Sequence, residues 1–291
     1  MTKEKNKNGK KTALNEVLRG INKKFGKDSI KSGKDLKNIE KISSGVDAIN
    51  KLLGGGFPYG YFTTLWGSPG SGKTTIAYYL TAVAQKLGKT PFYIALEPFD
   101  RERAIKMGVD VDKLMIASFP IAENSLDTII EVARKKVVDV IILDSIHSLS
   151  PKGEQQEKSG KEKSMEDDTM ALLARKLSQF FRIAVSPVKK GNVAILLIGQ
   201  TRTSIGFIAL DKLTGGNALK HYSKLVLHIR RGQKVDAPMH KYKEDGKSKS
   251  KQIGFDVVIK IDQTQISGTK PEMTTIHLPY YFESGFGKEK E

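Results

Sequence analysis

Hydrophobic residues occur along the chain either in short continuous runs or at helical spacing, and the two patterns alternate. Short apolar runs bounded by polar residues predict strands, and apolar residues that recur on one helical face predict helices. The predicted strands cover residues 61–66, 91–96, 140–143 and 193–198. The predicted helices cover residue 73 to about residue 87, 126–136 and 169–185. Strands separated by helices predict an α/β fold with a mainly parallel central sheet.

After residue 220 the helical spacing disappears, and short apolar runs follow one another with polar turns between them. These runs cover residues 225–230, 255–261 and 274–278. Strands joined by turns rather than by helices are typical of antiparallel pairing. The segment after residue 220 therefore predicts an antiparallel extension of the sheet.

The N-terminal segment has a different organisation. Residues 1–12 are polar and lysine-rich, and are predicted to be a disordered basic arm. Next comes a short helix with one apolar stripe, made of Leu14, Val17, Leu18, Ile21 and Phe25. An isolated helix of this length is marginal in water, so the stripe must pack on its own domain or on a neighbouring subunit. The predicted organisation is an arm (1–12), a helix with a linker (13–38) and a core (39–291).

The charge of the chain indicates what kind of partner it binds. The formal net charge is +17, and residues 1–41 hold thirteen Lys/Arg against five Asp/Glu. A second basic block, residues 230–251, holds eight against three. Such blocks attract polyanions or serve as solvated tails, and two of them on one chain favour nucleic acid.

Composition also excludes several classes of protein. The chain has no cysteine, which excludes disulfides and thiolate metal sites and fits a cytoplasmic location. No apolar run is long enough to span a membrane.

A phosphate-binding motif lies between a predicted strand and a predicted helix. Its backbone N–H groups close around phosphates, Lys73 neutralises the β and γ oxygens, and the Thr74 hydroxyl is a Mg²⁺ ligand. The motif is G-x-x-x-x-G-K-[ST], and with the next residue it reads Gly67, Ser68, Pro69, Gly70, Ser71, Gly72, Lys73, Thr74 and Thr75. It predicts an ATPase that uses ATP and Mg²⁺.

Three polar side chains follow predicted strands. Asp144 ends an apolar strand, which is where enzymes with this motif carry the carboxylate that holds Mg²⁺. An Asp in this position can also cap a turn. Glu97 ends the preceding strand, where it can orient an attacking water. Gln200 ends the next strand, where its amide can sense the γ-phosphate and transmit that state to the following loop. Glu97 and Gln200 can each also have a structural role.

The chain resembles the RecA-type recombinases, in order from about residue 14 to residue 287. The motif residues 67–74, the strand 138–145 ending in Asp144-Ser145, and the segment 53–60 (LGGGFPYG) all resemble this family. The most specific string is Thr214-Gly215-Gly216-Asn217-Ala218-Leu219-Lys220. The resemblance implies a RecA-like ATPase core preceded by a polymerisation helix.

The resemblance further implies an ATP-dependent protein that forms a homo-oligomeric filament on single-stranded DNA and exchanges strands with double-stranded DNA. Lys73, Glu97 and Gln200 would be catalytic, and residues 152–168 and 201–214 would be two DNA-binding loops. Arg175 and Arg182 lie two helical turns apart, so they share one helix face. The DNA contacts implied are Met170, Arg175, Arg182, Arg202, Ile205, Thr214, Gly215 and Gly216.

The chain also departs from the family pattern. Arg103 stands where bacterial relatives carry a tyrosine that stacks on adenine, and a guanidinium can stack too. Gln265, with Gln263 nearby, stands where those relatives carry lysines that reach the neighbour's γ-phosphate, so Gln265 is assigned to the nucleotide site across a subunit junction. The chain ends at Glu291, near the end of the core, which suggests a viral or divergent member without the usual C-terminal domain.

Two other functions remain open at this point. A hexameric motor or helicase would use the same core to translocate along DNA. A mediator-type paralogue would bind nucleotide only structurally. The string 214–220 argues against the motor, and the intact Lys73, Thr74, Glu97 and Asp144 argue against the paralogue.

Overall fold

The computed structural model describes residues 2–26, 29–30, 32–36, 38–119, 121–155, 169–203, 211–213, 217–233, 237–244 and 247–287. The chain divides into two compact units, Met1–Ile39 and Glu40–Glu291. This boundary lies one residue beyond the predicted end of the linker. None of the helices described is long and apolar enough to cross a membrane.

The helices are α1 (Thr2–Phe25), α2 (Asp47–Leu53), α3 (Lys73–Lys86), α4 (Arg101–Lys106), α5 (Ala122–Lys135), α6 (Lys152–Gln155), α7 (Thr169–Gly191) and α8 (Asn217–Tyr222). Short 3₁₀ turns cover Gly33–Asp35, Val111–Lys113 and Ile146–Ser148. The strands before residue 220 are β1 (Lys41–Ile42), β2 (Phe57–Pro58), β3 (Phe62–Gly67), β4 (Pro91–Ala95), β5 (Met115–Ala117), β6 (Val140–Asp144), β7 (Ala194–Thr203) and β8 (Asp211–Leu213). The strands after it are β9 (Ser223–Arg231), β10 (Met239–Glu244), β11 (Lys247–Gln252), β12 (Gly254–Thr264), β13 (Thr275–Tyr281) and β14 (Gly285–Phe286).

The central sheet has the order β14-β13-β12-β9-β3-β7-β6-β4-β5, with β8 paired to β7. The neighbours from β9 to β5 are parallel, whereas β12, β13 and β14 add antiparallel strands beyond β9. Two two-stranded sheets, β1–β2 and β10–β11, lie outside it. The predicted α/β class, mainly parallel sheet and antiparallel extension after residue 220 are confirmed.

Strand β6 shows why the sheet is covered on both faces. Its side chains alternate between two apolar clusters: Val140 and Ile142 face one, and Ile141 and Leu143 face the other. All four are fully buried. A parallel strand buried on both faces reads as a continuous apolar run, which is the pattern that the sequence shows here.

Helix α1 begins at Thr2, so residues 2–12 are helical where the sequence predicts a disordered arm. The lysines of this segment explain the difference, because charge alone does not prevent a helix and lysine is a good helix former. Within its own unit, α1 leaves part of its apolar stripe uncovered: Leu14, Val17 and Phe25 are exposed.

Two further elements extend beyond their predicted ends. Helix α7 continues past Pro187 to Gly191, because Val188 is fully buried and its packing outweighs the hydrogen bond that proline cannot make. Strand β7 runs to Thr203 and pairs with β8 through Thr201 and Leu213, so the expected loop 201–214 is partly a strand pair. The expected loop 152–168 begins with the short helix α6.

The packing of α7 on the sheet yields a stability test. Phe181 is fully buried between Phe62, edge-on at a centroid distance of 5.0 Å, and Tyr222, stacked at 5.2 Å. Phe181→Ala should lower the free energy of unfolding by about 3–5 kcal/mol, because it leaves a cavity. Urea unfolding followed by circular dichroism measures the loss.

Ile183→Ala is the control on the same helix, since Ile183 is 47% exposed and should cost less than about 1 kcal/mol. Equal losses for the two variants would contradict the packing described.

Candidate nucleotide site

The phosphate loop is a tight connection between β3 and α3. Gly67 ends β3 with φ +153°, and a Cβ there would lie 1.7 Å from the carbonyl oxygen of Ile229 on β9. Gly72 precedes α3 with φ +96°, and a Cβ there would meet the Phe286 ring at 2.9 Å. A Cβ at Gly67 would collide with backbone, and at Gly72 the positive φ and the Phe286 ring both disfavour one, which is why the motif has glycine at these positions.

This loop forms one side of a cavity of about 250 Å³. The other sides come from the carboxyl ends of β4, β6 and β7, where ligands bind in parallel sheets, and from β13. The lining residues are Pro69, Gly70, Ser71, Gly72, Lys73, Thr74, Thr75, Glu97, Arg103, Asp144, Ile198, Gln200 and Tyr280.

Lys73 is buried within the loop. Its Nζ donates to the carbonyl oxygens of Gly67 at 2.9 Å and Ser68 at 2.7 Å. Burial lowers the pKa of Lys73 to about 8, and the nearby carboxylates of Asp144 and Glu97 partly oppose that shift. The ammonium is therefore held by loop carbonyls, at a place where a bound phosphate could neutralise its charge.

Asp144 is a buried carboxylate whose Oδ2 accepts two hydroxyl hydrogen bonds. Thr74 Oγ1 donates at 2.9 Å and Tyr93 Oη at 2.8 Å. Burial raises the pKa of Asp144, and the two hydroxyls oppose that rise. A hydroxyl and a carboxylate oxygen that converge beside a phosphate loop are the hard oxygen donors that Mg²⁺ prefers. Thr74 and Asp144 thus fit the metal role predicted for them.

Glu97 lies two residues beyond β4, and three side chains surround its Oε1. Ser145 Oγ donates to it at 2.5 Å and Gln200 Nε2 at 3.0 Å. His147 Nε2 lies 3.3 Å away. The structure therefore brings Glu97, Asp144 and Gln200 together at one end of the cavity, close to Lys73.

The other end of the cavity contains Arg103 and Tyr280. The Tyr280 hydroxyl is 2.9 Å from Thr75 Oγ1 and accepts a hydrogen bond from Arg103. Arg103 also donates to the carbonyl oxygen of Phe282 at 3.2 Å. Arg103 is thus fixed at the rim, whereas Tyr280 was not singled out from the sequence.

Gln265 is not among the residues that line this cavity; its side-chain oxygen accepts from Lys224. Gln263 donates to the carbonyl oxygens of Lys220 and Ser223, at 2.8 and 3.1 Å, beside α8. The role assigned to Gln265 lies across a subunit junction, so in a single chain it stays a prediction.

The DNA-contact predictions fall on three kinds of position. Arg175 and Arg182 are exposed on α7. Met170 on α7 and Arg202 on β7 have side chains outside the described part. Ile205, Thr214, Gly215 and Gly216 lie outside the described residues altogether, as do residues 156–168.

Comparison with known proteins agrees with this arrangement. The family model described as the RecA N-terminal domain matches residues 12–272. The chain belongs to the RecA family.

Among curated relatives, this RecA-family chain is 38% identical over 229 residues to "Protein RecA" of Bacteroides thetaiotaomicron. That alignment covers 77% of this chain and 68% of the relative. Membership of the RecA family means an ATPase-type domain and implies that the phosphate loop binds ATP.

The pKa of Lys73 gives a test of its place in this RecA-type site. Between about 8 and 10.5 the unfolded chain holds this proton and the folded chain does not, so stability rises with pH across that window. A polyphosphate favours the charged ammonium, so nucleotide binding at about pH 8.5 should take up protons. Calorimetry in two buffers of different ionisation enthalpy measures that uptake.

Lys73→Arg is the matched control, because a guanidinium stays protonated at this pH. The uptake should disappear in this variant. A wild-type chain that binds nucleotide without proton uptake would show that Lys73 is already charged, contrary to the effect of its burial.

Proposed function

We propose that this protein is an ATP-dependent DNA recombinase. It forms a helical filament on single-stranded DNA, pairs that strand with homologous duplex DNA and promotes strand exchange, hydrolysing ATP to ADP and phosphate. The nucleotide is held by residues 67–75, with Arg103 at the rim. The family relationship supports the class of protein, and the geometry of the cavity supports the hydrolytic role.

The observation that carries the proposal is the position of Gln200. Its amide donates to Glu97 inside the cavity, and its strand β7 continues directly through Thr201 into the pair with β8. Residues 201–214 are the predicted second DNA loop. A change at the γ-phosphate end of the cavity would therefore reach the DNA loop through one continuous strand, and DNA binding would act on the cavity by the same route.

Within the cavity each side chain has a separate task. Lys73 neutralises charge on the β and γ phosphates, and its ammonium exchanges loop carbonyls for phosphate oxygens. Thr74 and Asp144 would hold Mg²⁺, which would offset the negative charge of the phosphates. Glu97 orients the attacking water and accepts its proton.

DNA is held by groups outside this cavity. Arg175 and Arg182 are exposed on one face of α7, and the net charge of +17 favours a polyanionic partner. The uncovered stripe of α1 supports docking on the next subunit, because an apolar helix face needs a partner surface.

Glu97→Gln tests the hydrolytic role. The amide keeps the shape of the side chain but cannot accept a proton. ATP hydrolysis stimulated by single-stranded DNA should fall by about 10²–10⁴-fold, whereas ATP and DNA should still bind. A phosphate-release assay and fluorescence anisotropy measure the two properties.

Glu131→Gln is the control, because Glu131 is an exposed carboxylate on α5. Normal turnover in Glu97→Gln would remove Glu97 from this role. In the wild-type chain, an ATPase that single-stranded DNA does not stimulate would favour the mediator-type function instead.

Arg182→Ala tests the DNA face of α7. Removing one phosphate contact should weaken single-stranded DNA binding whatever its sequence and reduce the slope of log affinity against log salt by about 1. Arg134→Ala on α5 removes another exposed arginine elsewhere and should leave the slope unchanged.

A salt slope that both variants share would contradict the assignment of Arg182. Electron microscopy of the same samples separates filaments from the closed rings expected of a motor.

A further inference from the structure

His147 lies at the hydrolytic end of the cavity, although the function proposed above assigns it no role. We propose that His147 is a positioning residue for Glu97: acting through Ser145, it holds Oε1 of that carboxylate and so orients Oε2 for the attacking water. The inference rests on the proposed ATPase function, in which Glu97 orients that water.

The contacts around Glu97 form a short relay. Ser145 Oγ lies 2.5 Å from Glu97 Oε1 and 2.6 Å from His147 Nδ1. His147 Nε2 lies 3.3 Å from the same Oε1. The imidazole is therefore linked to that carboxylate oxygen through the serine hydroxyl.

The number of available protons determines which group donates in each of these hydrogen bonds. Serine has one hydroxyl proton, so Ser145 can donate to Glu97 or to His147 but not to both. Carboxylate oxygens are acceptors only, so the 2.5 Å contact uses the serine proton. The 2.6 Å contact then requires Nδ1–H of His147 as the donor to Ser145 Oγ. His147 thus determines which way the Ser145 hydroxyl points.

The two oxygens of Glu97 have different surroundings as a result. Ser145, Gln200 and His147 all approach Oε1. Among the residues that the structure describes, none donates a hydrogen bond to Oε2. An oxygen with free lone pairs on a carboxylate that is held at its other oxygen is suited to orienting water.

The backbone around His147 is held firmly enough for such a role. His147 is the middle residue of the 3₁₀ turn Ile146–Ser148, which directly follows β6 and Ser145. Ile146 is fully buried and Leu149 nearly so, which anchors the turn on both sides. The His147 side chain itself is only 25% exposed, so its neighbours restrict it as well.

The test compares His147→Ala with His147→Asn, whose amide can still donate to Ser145 in place of Nδ1–H. In the alanine variant kcat for ATP hydrolysis should fall between about 10- and 100-fold, with KM and nucleotide Kd within about twofold of wild type. The asparagine variant should recover part of kcat.

His277→Ala is the control, because His277 also lies 2.8 Å from a carboxylate, that of Asp256, but on β13 outside the cavity lining. It should keep wild-type kcat.

A double-mutant cycle with Ser145→Ala shows whether the two residues act as one unit. If His147 acts through Ser145, the double variant should lose little more activity than either single variant. Thermal unfolding of each variant confirms that the fold is intact.

Wild-type kcat in His147→Ala, or an additive loss in the double variant, would overturn the inference. Either result would leave the proposed function standing as long as Glu97→Gln is inactive. Normal turnover in Glu97→Gln would remove both.

Discussion

The parallel register of β3, β7, β6 and β4 is the constraint on which the rest of the structure depends. Pairing places Gly67 beside Gln200, and Asp144 beside Ala95 and Ile198. Because the strands run the same way, their carboxyl ends meet at one edge. The register is fixed in turn by burial on both faces, since a slip of one residue would exchange the two apolar clusters on either side of the sheet.

Charges at that edge are few and interdependent. Lys73, Asp144 and Glu97 lie within range of one another, and each carboxylate raises the pKa of the lysine against the effect of burial. Lys73 is therefore a cation close to two anions, held by loop carbonyls, while hydroxyls donate to Asp144 and Glu97. Burying such a cluster costs free energy, and the cluster is useful only when a ligand replaces some of its contacts. The exchange of loop carbonyls for phosphate oxygens around Lys73 is that kind of event.

The sequence alone predicted what local pattern and strand direction determine. Glu97, Asp144 and Gln200 could be assigned to one edge because each follows an apolar run, and parallel strands end together. Tyr280 could not be found in this way. Its hydroxyl meets Thr75 across 205 residues of chain, through the antiparallel pairing of β12 with β9 and β13. That contact depends on which strands pair, and no local pattern encodes the choice.

Two other residues of the site could not be assigned from the sequence either. Tyr93 looks like an ordinary core aromatic within β4, and only the register of β4 with β6 brings its hydroxyl to Asp144. His147 stands in a polar stretch that reads as a loop. Its significance comes from the tight turn that directs it back toward Glu97, and turn geometry over three residues is hard to read from sequence.

The hydrogen bond between Gln200 and Glu97 bears on how nucleotide and DNA would communicate in the proposed recombinase. A ligand shifts an equilibrium only if it interacts differently with two states. Gln200 contacts Glu97 in this structure, and in the proposed recombinase a γ-phosphate would lie at the same end of the cavity. Exchange between them would move the amide and hence the strand that leads through Thr201 to β8. Because Ser145, oriented by His147, holds the same Oε1 without the help of Gln200, Glu97 would keep its orientation when Gln200 leaves. Nucleotide binding in the cavity would therefore move the DNA loop without disturbing the carboxylate that orients the water.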